Sequence, residues 1–229
     1  MTSSLRLLAT LQSHAAINGE ALAHLLPDRV ITYRRFWSRI ERATARLQGE
    51  WGIQADDTVA YIGNGHPDAI VLYCALLRLG ASLLPLEGYT MQQALLTMQP
   101  AKVKLLVHDD DIKTEAAQAR ALSLMLADWC HFDPLVAAED AQRLSLLMPQ
   151  KNGNVQTLLK ISLQQFLHLS ASVPAINNQE AGDAGVLAGR SVFDMATFAG
   201  LIIPSLLAAH PMRFATIEDC LQNRLRAAG

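Results

Sequence analysis

Lys151 and Lys160 stand on either side of Gly153 in the stretch MPQKNGNVQTLLKIS, residues 148–162, and could attract an anion. One glycine beside one lysine is a weak phosphate motif, and by residue type alone these are surface lysines. Asn64-Gly65-His66-Pro67 follows an apolar run, as a nucleotide loop would. It lacks the G-x-G-x-x-G spacing and reads as a turn entering a helix. Asp109, Asp110 and Asp111 offer carboxylate oxygens suited to a divalent cation. Consecutive acids point in different directions, however, so the run reads as a solvated strand end. His108 and Trp129-Cys130-His131-Phe132 supply a single Cys–His pair, short of the four ligands zinc takes. No G-x-S-x-G elbow supports a hydrolase. No catalytic residue and no metal ligand is assigned on these grounds.

The elements that must carry these residues alternate between helix and strand. Leu5, Leu8, Leu11, Ala15, Leu22 and Leu25 recur at helical spacing, with a break at Asn18-Gly19. Residues 30–33 form an extended run, and Thr32 is placed to cap a following helix. On that helix Phe36, Ile40, Ala43 and Leu47 make the apolar face. Arg35, Arg39, Arg42 and Arg46 are expected on solvated faces. Residues 58–63 read as a buried strand and residues 68–79 as a helix begun by Pro67 and closed by Gly80. A second strand, 81–86, completes a parallel crossover unit. Further along, residues 91–98 are expected as helix, 102–107 as strand, 113–126 as helix with Glu115 and Arg120 outward, and 132–140 as irregular. A short strand at 144–148 and a polar loop precede 158–170, which starts as strand and turns helical. Residues 177–182 read as a polar connection, 198–207 as an apolar helix and 217–227 as an amphipathic one. The class is α/β: a mostly parallel sheet flanked by helices. Residues 1–229 read as a single domain, with a first α/β subdomain at 28–147 and a second part at 148–229.

Composition narrows the function classes. The chain has 229 residues, 51% hydrophobic and 17% charged, which suits a packed domain. A net charge of −2 gives nothing global to attract nucleic acid or an anionic membrane. No window reaches the ~18 consecutive apolar residues of a membrane span. Cys74, Cys130 and Cys220 are scattered, as buried reduced thiols would be, so a cytoplasmic location is expected.

Residues 31–87 carry a family resemblance. Thr32-Tyr33 leads into the Arg-rich helix, followed by Gly52, an Asp before the buried strand, Asn64, and Pro67 opening the next helix. That helix runs to Leu79-Gly80-Ala81, with Pro85 beyond. In order and spacing this resembles the opening of the adenylate-forming (AMP-binding) superfamily of acyl-CoA synthetases. Residues 183–209 resemble the family's helix before its central sheet, with Phe193-Asp194 where a Phe–His pair often lies.

The resemblance implies a partial N-terminal domain of that fold and the chemistry of an ATP-dependent ligase. It sets the family's phosphate loop on residues 148–162, so Lys151, Asn152, Gly153, Asn154 and Thr157 become the candidate nucleotide-binding residues. Aligned without gaps, the family's Pro, Lys and Gly fall on Gln156, Thr157 and Leu158, and its hydroxyl-rich half on residues 149–154. The loop is thus degenerate, and Pro149 removes a backbone donor. The family's adenine motif and C-terminal catalytic lysine would lie past residue 229. The expectation is a truncated, catalytically incompetent synthetase-like protein acting as a binding or interaction module. The alternative is a component of an ATP-dependent acid–CoA ligase completed by another polypeptide. ATP or AMP with magnesium, or an acyl ligand, is implied by resemblance only. Exposed apolar edges lead to the expectation of a homo-oligomer or a protein partner.

Overall fold

The computed structural model describes residues 7–26, 29–127, 133–136, 142–152, 155–172, 185–188 and 191–215. Helix α1 (Leu7–Ile17) is followed by strands β1 (Leu22–Leu25) and β2 (Val30–Thr32), which pair antiparallel. Leu22 and Leu25, expected in a helix, are therefore in a strand. The break at Asn18-Gly19 ends the helix outright, because Gly19 packs too tightly against the Ala15 carbonyl and Arg34 for any larger residue.

Helix α2 (Tyr33–Gly49) begins where the Thr32 hydroxyl accepts the Arg35 N–H, a cap worth about 1 kcal/mol. Phe36, Ile40, Ala43 and Leu47 are fully buried on one face. Each of the large ones contributes roughly 1.5–3 kcal/mol by leaving water. Strand β3 (Thr58–Ile62), helix α3 (Asp68–Leu79) and strand β4 (Ser82–Pro85) form the expected parallel crossover. Gly80, at φ 71°, closes α3 in the left-handed region. Helix α4 (Met91–Ala101) is opened by a Thr90–Gln93 capping box and leads to β5 (Leu105–His108), parallel to β3 on its other side.

The expected helix over 113–126 is not formed. Residues 119–121 are instead β6 (Ala119–Ala121), parallel to β5, followed by a 3₁₀ turn, Leu122–Met125. The alanine-rich sequence favours a helix locally, but the open edge of β5 offers backbone partners and wins. Strand β7 (Leu144–Asn152) and β8 (Val155–Ser162) complete a six-stranded sheet in the order β6-β5-β3-β4-β7-β8, antiparallel only in its last pair. The expected subdomain boundary at 147/148 falls inside β7. Helix α5 (Leu163–Ser172) follows, then β9 (Gly185–Ala188). Helix α6 (Met195–Thr197) passes through a π-helical stretch, Phe198–Ile202, into α7 (Ile203–Ala208), and β10 (Met212–Ala215) comes last. Strands β2-β1-β10-β9 make a second sheet, in which β1, β10 and β9 run parallel. The expected features at 177–182, 217–227, Trp129-Cys130-His131-Phe132 and Cys220 lie outside the described residues. Cys74 is buried.

Side chains alternate cleanly across the large sheet. Val59, Tyr61, Leu83, Leu105, Val107 and Leu146 enter the main core with α1, α2, α3 and α5. Ala60, Ile62, Leu84, Leu106 and Leu147 pack on the other face against Ala94 and Met98 of α4. No described helix is long and apolar enough to cross a membrane.

Arg34 and Arg35 at the start of α2 are exposed, but the other arginines of the helix are not a solvated stripe. Arg39 donates to the buried Asp68 carboxylate, Arg42 reaches the Leu126 carbonyl, and the buried Arg46 donates to the Leu124 carbonyl. Long side chains have bridged from α2 to α3 and to the turn at 122–126, satisfying carbonyls that a missing helix leaves open.

His24, on β1, is fully buried between the rings of Phe36 and Phe214, 4.6 and 5.2 Å away. Neither ring nitrogen has a hydrogen-bonding partner among the described residues. Burial, helped by the nearby Arg39 charge, pushes its pKa down to about 3. The unfolded chain therefore binds a proton that the folded one refuses between about pH 6.5 and pH 3, and stability falls as pH drops through that window. We expect His24→Leu to flatten this dependence, removing a slope of up to about 1.4 kcal/mol per pH unit. Urea melts of both proteins at stepped pH check it.

Candidate functional site

Ligands in open α/β sheets bind at the carboxyl ends of the strands. There β3, β4 and β5 deliver Gly63, Glu87 and Asp109, each one or two residues past its strand. Tyr61 donates its hydroxyl to Asp109 Oδ1 at 2.7 Å, and the Asn64 N–H donates to Oδ2 at 2.8 Å. Asp109 is thus a buried, hydrogen-bonded acid, which corrects its reading as a solvated strand end. Burial and the adjacent Asp109 charge raise the Tyr61 pKa well above the phenol range, so the hydroxyl keeps its proton and stays a donor.

Gly63 makes this arrangement possible. A Cβ there would lie 2.5 Å from Asp109 Oδ2 and closer still to the Tyr61 hydroxyl. Glu87 forms the other half of the site. Its Oε2 accepts the Ser191 hydroxyl and the Phe193 N–H, the latter at 3.0 Å, tying the end of β4 to the start of α6. Burial raises the Glu87 pKa, those hydrogen bonds oppose the rise, and its Oε1 has no partner among the described residues. Asp194 caps α6, accepting from the Thr197 N–H and hydroxyl at 3.1 Å each. Phe193 packs against Phe198 at 5.0 Å, Tyr61 at 6.0 Å and Tyr73 at 6.5 Å. A π-helical stretch directly follows, a distortion frequent at functional sites.

Of the phosphate-loop candidates, Lys151, Asn152 and Thr157 lie elsewhere, on the paired strands β7 and β8. The expected polar loop is strand. Pairing runs without a break from Leu146↔Ile161 through Gln150↔Thr157 and Lys151↔Gln156 to Asn152↔Val155. Lys151 and Asn152 end β7, and Thr157 is exposed on β8. Gly153 and Asn154 lie outside the described residues. Among the described residues no group of three or more His, Cys, Asp or Glu is placed to hold a metal. The Glu87–Ser191–Phe193 contact escaped sequence reasoning because its partners are about a hundred residues apart.

A sequence model described as AMP-binding enzyme matches residues 11–157. The chain belongs to that family. Over 116 residues it is 24% identical to the D-alanine–D-alanyl carrier protein ligase of Bacillus licheniformis, covering 50% of this chain and 23% of that ligase. Its fold matches o-succinylbenzoate CoA synthetase (MenE) of Bacillus subtilis, bound to a product analogue, with a TM-score of 0.80 at 13% identity. The match covers 95% of this chain and 46% of the synthetase chain. The N-terminal subdomain of Klebsiella oxytoca NpsA, in complex with 3-hydroxybenzoyl-AMSN, matches with a TM-score of 0.74 at 16% identity, covering 91% and 53%. This AMP-binding family chain therefore spans about half the length of those structures and about a quarter of the ligase. At these identities the likeness to the solved structures is one of fold.

In this family member Gly63 holds the Tyr61–Asp109 pair by having no side chain. We expect Gly63→Ala to cost about 1–3 kcal/mol, because the clash falls on the side-chain ends of a buried hydrogen-bonded pair. A thermal melt against Ala60→Gly, a cavity control on the preceding strand β3, checks this.

Proposed function

We propose that this chain is a synthetase-like module that binds or docks and does not itself adenylate a substrate. The observation behind this reading is the register of the β7–β8 hairpin. Where the family wraps ATP phosphates with a Ser/Thr/Gly-rich loop, β7 and β8 stay paired until two residues of chain remain between Asn152 and Val155. Ladder hydrogen bonds engage backbone N–H groups that a phosphate cradle must leave free. Val155 and Leu158 occupy positions where such a loop needs glycine or a small polar residue.

The binding reading is also supported by the outer edge of β8. Among the described strands it pairs on one side only. Leu159 and Leu169 are exposed beside it, around an open groove of about 570 Å³ between β8 and α5. An unpaired edge with apolar neighbours invites association. On this reading a second copy of the chain or another protein covers it.

A second reading, a component of an ATP-dependent acid–CoA ligase completed by another polypeptide, draws on the family match extending through Thr157. MenE from Bacillus subtilis has been solved with ATP and magnesium. Calorimetric titration of the purified protein with ATP–Mg²⁺ and with a non-hydrolysable acyl-adenylate analogue separates the two. We expect no saturable heat with either. Saturable binding that Lys151→Ala abolishes would replace the module reading with the ligase reading. Sedimentation over a wide concentration range tests the covered edge. We expect self-association, weakened by Leu159→Glu, and a strictly monomeric protein at high concentration would count against a self-made partner.

A further inference from the structure

The contact between the end of β4 and the start of α6 depends on an acid with no base beside it. Glu87 Oε2 accepts the Ser191 hydroxyl and the Phe193 N–H, with the Val192 N–H close by. These are neutral donors, and no ion pair reaches Glu87 among the described residues. The titratable groups that face it are the Tyr61 hydroxyl of β3 and the Asp109 carboxylate at the end of β5, and the second repels it. Asp194, the acid at the start of α6, is engaged with the Thr197 N–H and hydroxyl. Oε1, the other oxygen of Glu87, is buried and has no partner among the described residues.

Such a place is a poor host for a full negative charge. Burial and a neighbouring like charge both favour the neutral acid, while the donors favour the carboxylate. Burial prevails, and the Glu87 pKa stands above its ordinary 4.5. Once the turn at Ser191–Phe193 lifts away and Glu87 meets water, that pKa returns to its ordinary value. The closed contact therefore holds a proton that the open one releases. Closure is fully favoured below about pH 4.5 and weakens as pH rises through the raised value.

The element held by this contact is built to yield locally. One side chain ties segments 104 and 106 residues apart in sequence. Beyond it α6 lasts only three residues before passing into the π-helical stretch Phe198–Ile202, a register that chains rarely adopt. We propose that Glu87 is a proton-operated latch: its protonated carboxyl holds the Ser191–Phe193 turn against the end of β4, and loss of the proton loosens that turn and the start of α6. The latch is separate from the β7–β8 hairpin and does not depend on whether nucleotide binds there.

The test is amide hydrogen exchange of the full chain, followed by NMR from about pH 5 to about pH 8, with each rate divided by the intrinsic rate at that pH. The Phe193 N–H, which donates to Glu87, reports the latch, and the Ala60 N–H in the middle of β3 reports global opening. We expect Phe193 protection to fall at least about threefold from the acidic to the basic end, without Ala60 following it. Glu87→Gln keeps an acceptor oxygen but cannot ionise, so it should retain Phe193 protection and lose the pH dependence. Any effect of His24 protonation is common to both proteins. Phe193 protection that stays constant with pH in the unaltered protein overturns the proposal. So does protection that changes in step with Ala60, and so does a pH dependence that survives in Glu87→Gln. The comparison of Phe193 with Ala60 needs no variant, so it decides the matter even where Glu87→Gln does not fold.

Discussion

Every residue of β3 is buried, and the strand has parallel partners on both sides. Such a strand must satisfy its backbone entirely within the sheet and fill two cores with alternating side chains. Thr58-Val59-Ala60-Tyr61-Ile62 does both. Val59 and Tyr61 face the larger core, while Ala60 and Ile62 face α4. The strand then has to end without leaving a buried polar group unpaired. Gly63 allows this, because the absent side chain leaves room for Asp109 to come back from β5 and take both the Tyr61 hydroxyl and the Asn64 N–H. The helix entry at Pro67 and the Arg39–Asp68 pair both follow from where that turn is held.

A few charges are used internally. Three arginines of α2 spend their donors on carbonyls and a carboxylate from neighbouring elements rather than on water. A buried ion pair such as Arg39–Asp68 adds little net stability over an apolar pair, but leaving either partner alone is costly. Its effect is to fix the register between α2 and α3. Glu87 does the same over a longer distance, fastening the start of α6 to the end of β4 through Ser191 and Phe193. Around that clasp Tyr61, Tyr73, Phe193 and Phe198 form an edge-to-face aromatic cluster, the geometry ring quadrupoles prefer.

The family relation and the hairpin geometry pull the functional reading in different directions. A fold shared with adenylate-forming synthetases brings the sheet, the crossover helices and the Phe193-Asp194 helix start into place. On the proposed reading the phosphate loop is replaced by the β7–β8 pair, whose described residues form an antiparallel ladder. A fold does not by itself fix the function of a site carried on it, since function lives in the site's own residues. Among the described strands of the large sheet, β8 is an edge strand, with Leu159 exposed on it.

Much of the architecture was legible from local patterns. The buried run at 58–62, Pro67 opening a helix, Gly80 closing it and the Thr32 cap are short-range signals, each set by steric or hydrogen-bonding rules acting within a few residues. Resemblance over residues 31–87 named the family. The tertiary structure decided the rest. It turned residues 119–121 into strand because β5 had an open edge, and it continued β7 and β8 through residues that read as a loop. It also converted Arg39 and Asp109 from expected solvated charges into paired, partly or fully buried ones, and gave Glu87 its partners. Their partners are 29, 48 and about a hundred positions away. No local pattern encodes such pairings, because whether a charge meets solvent or a counter-group depends on which distant segment the fold lays over it.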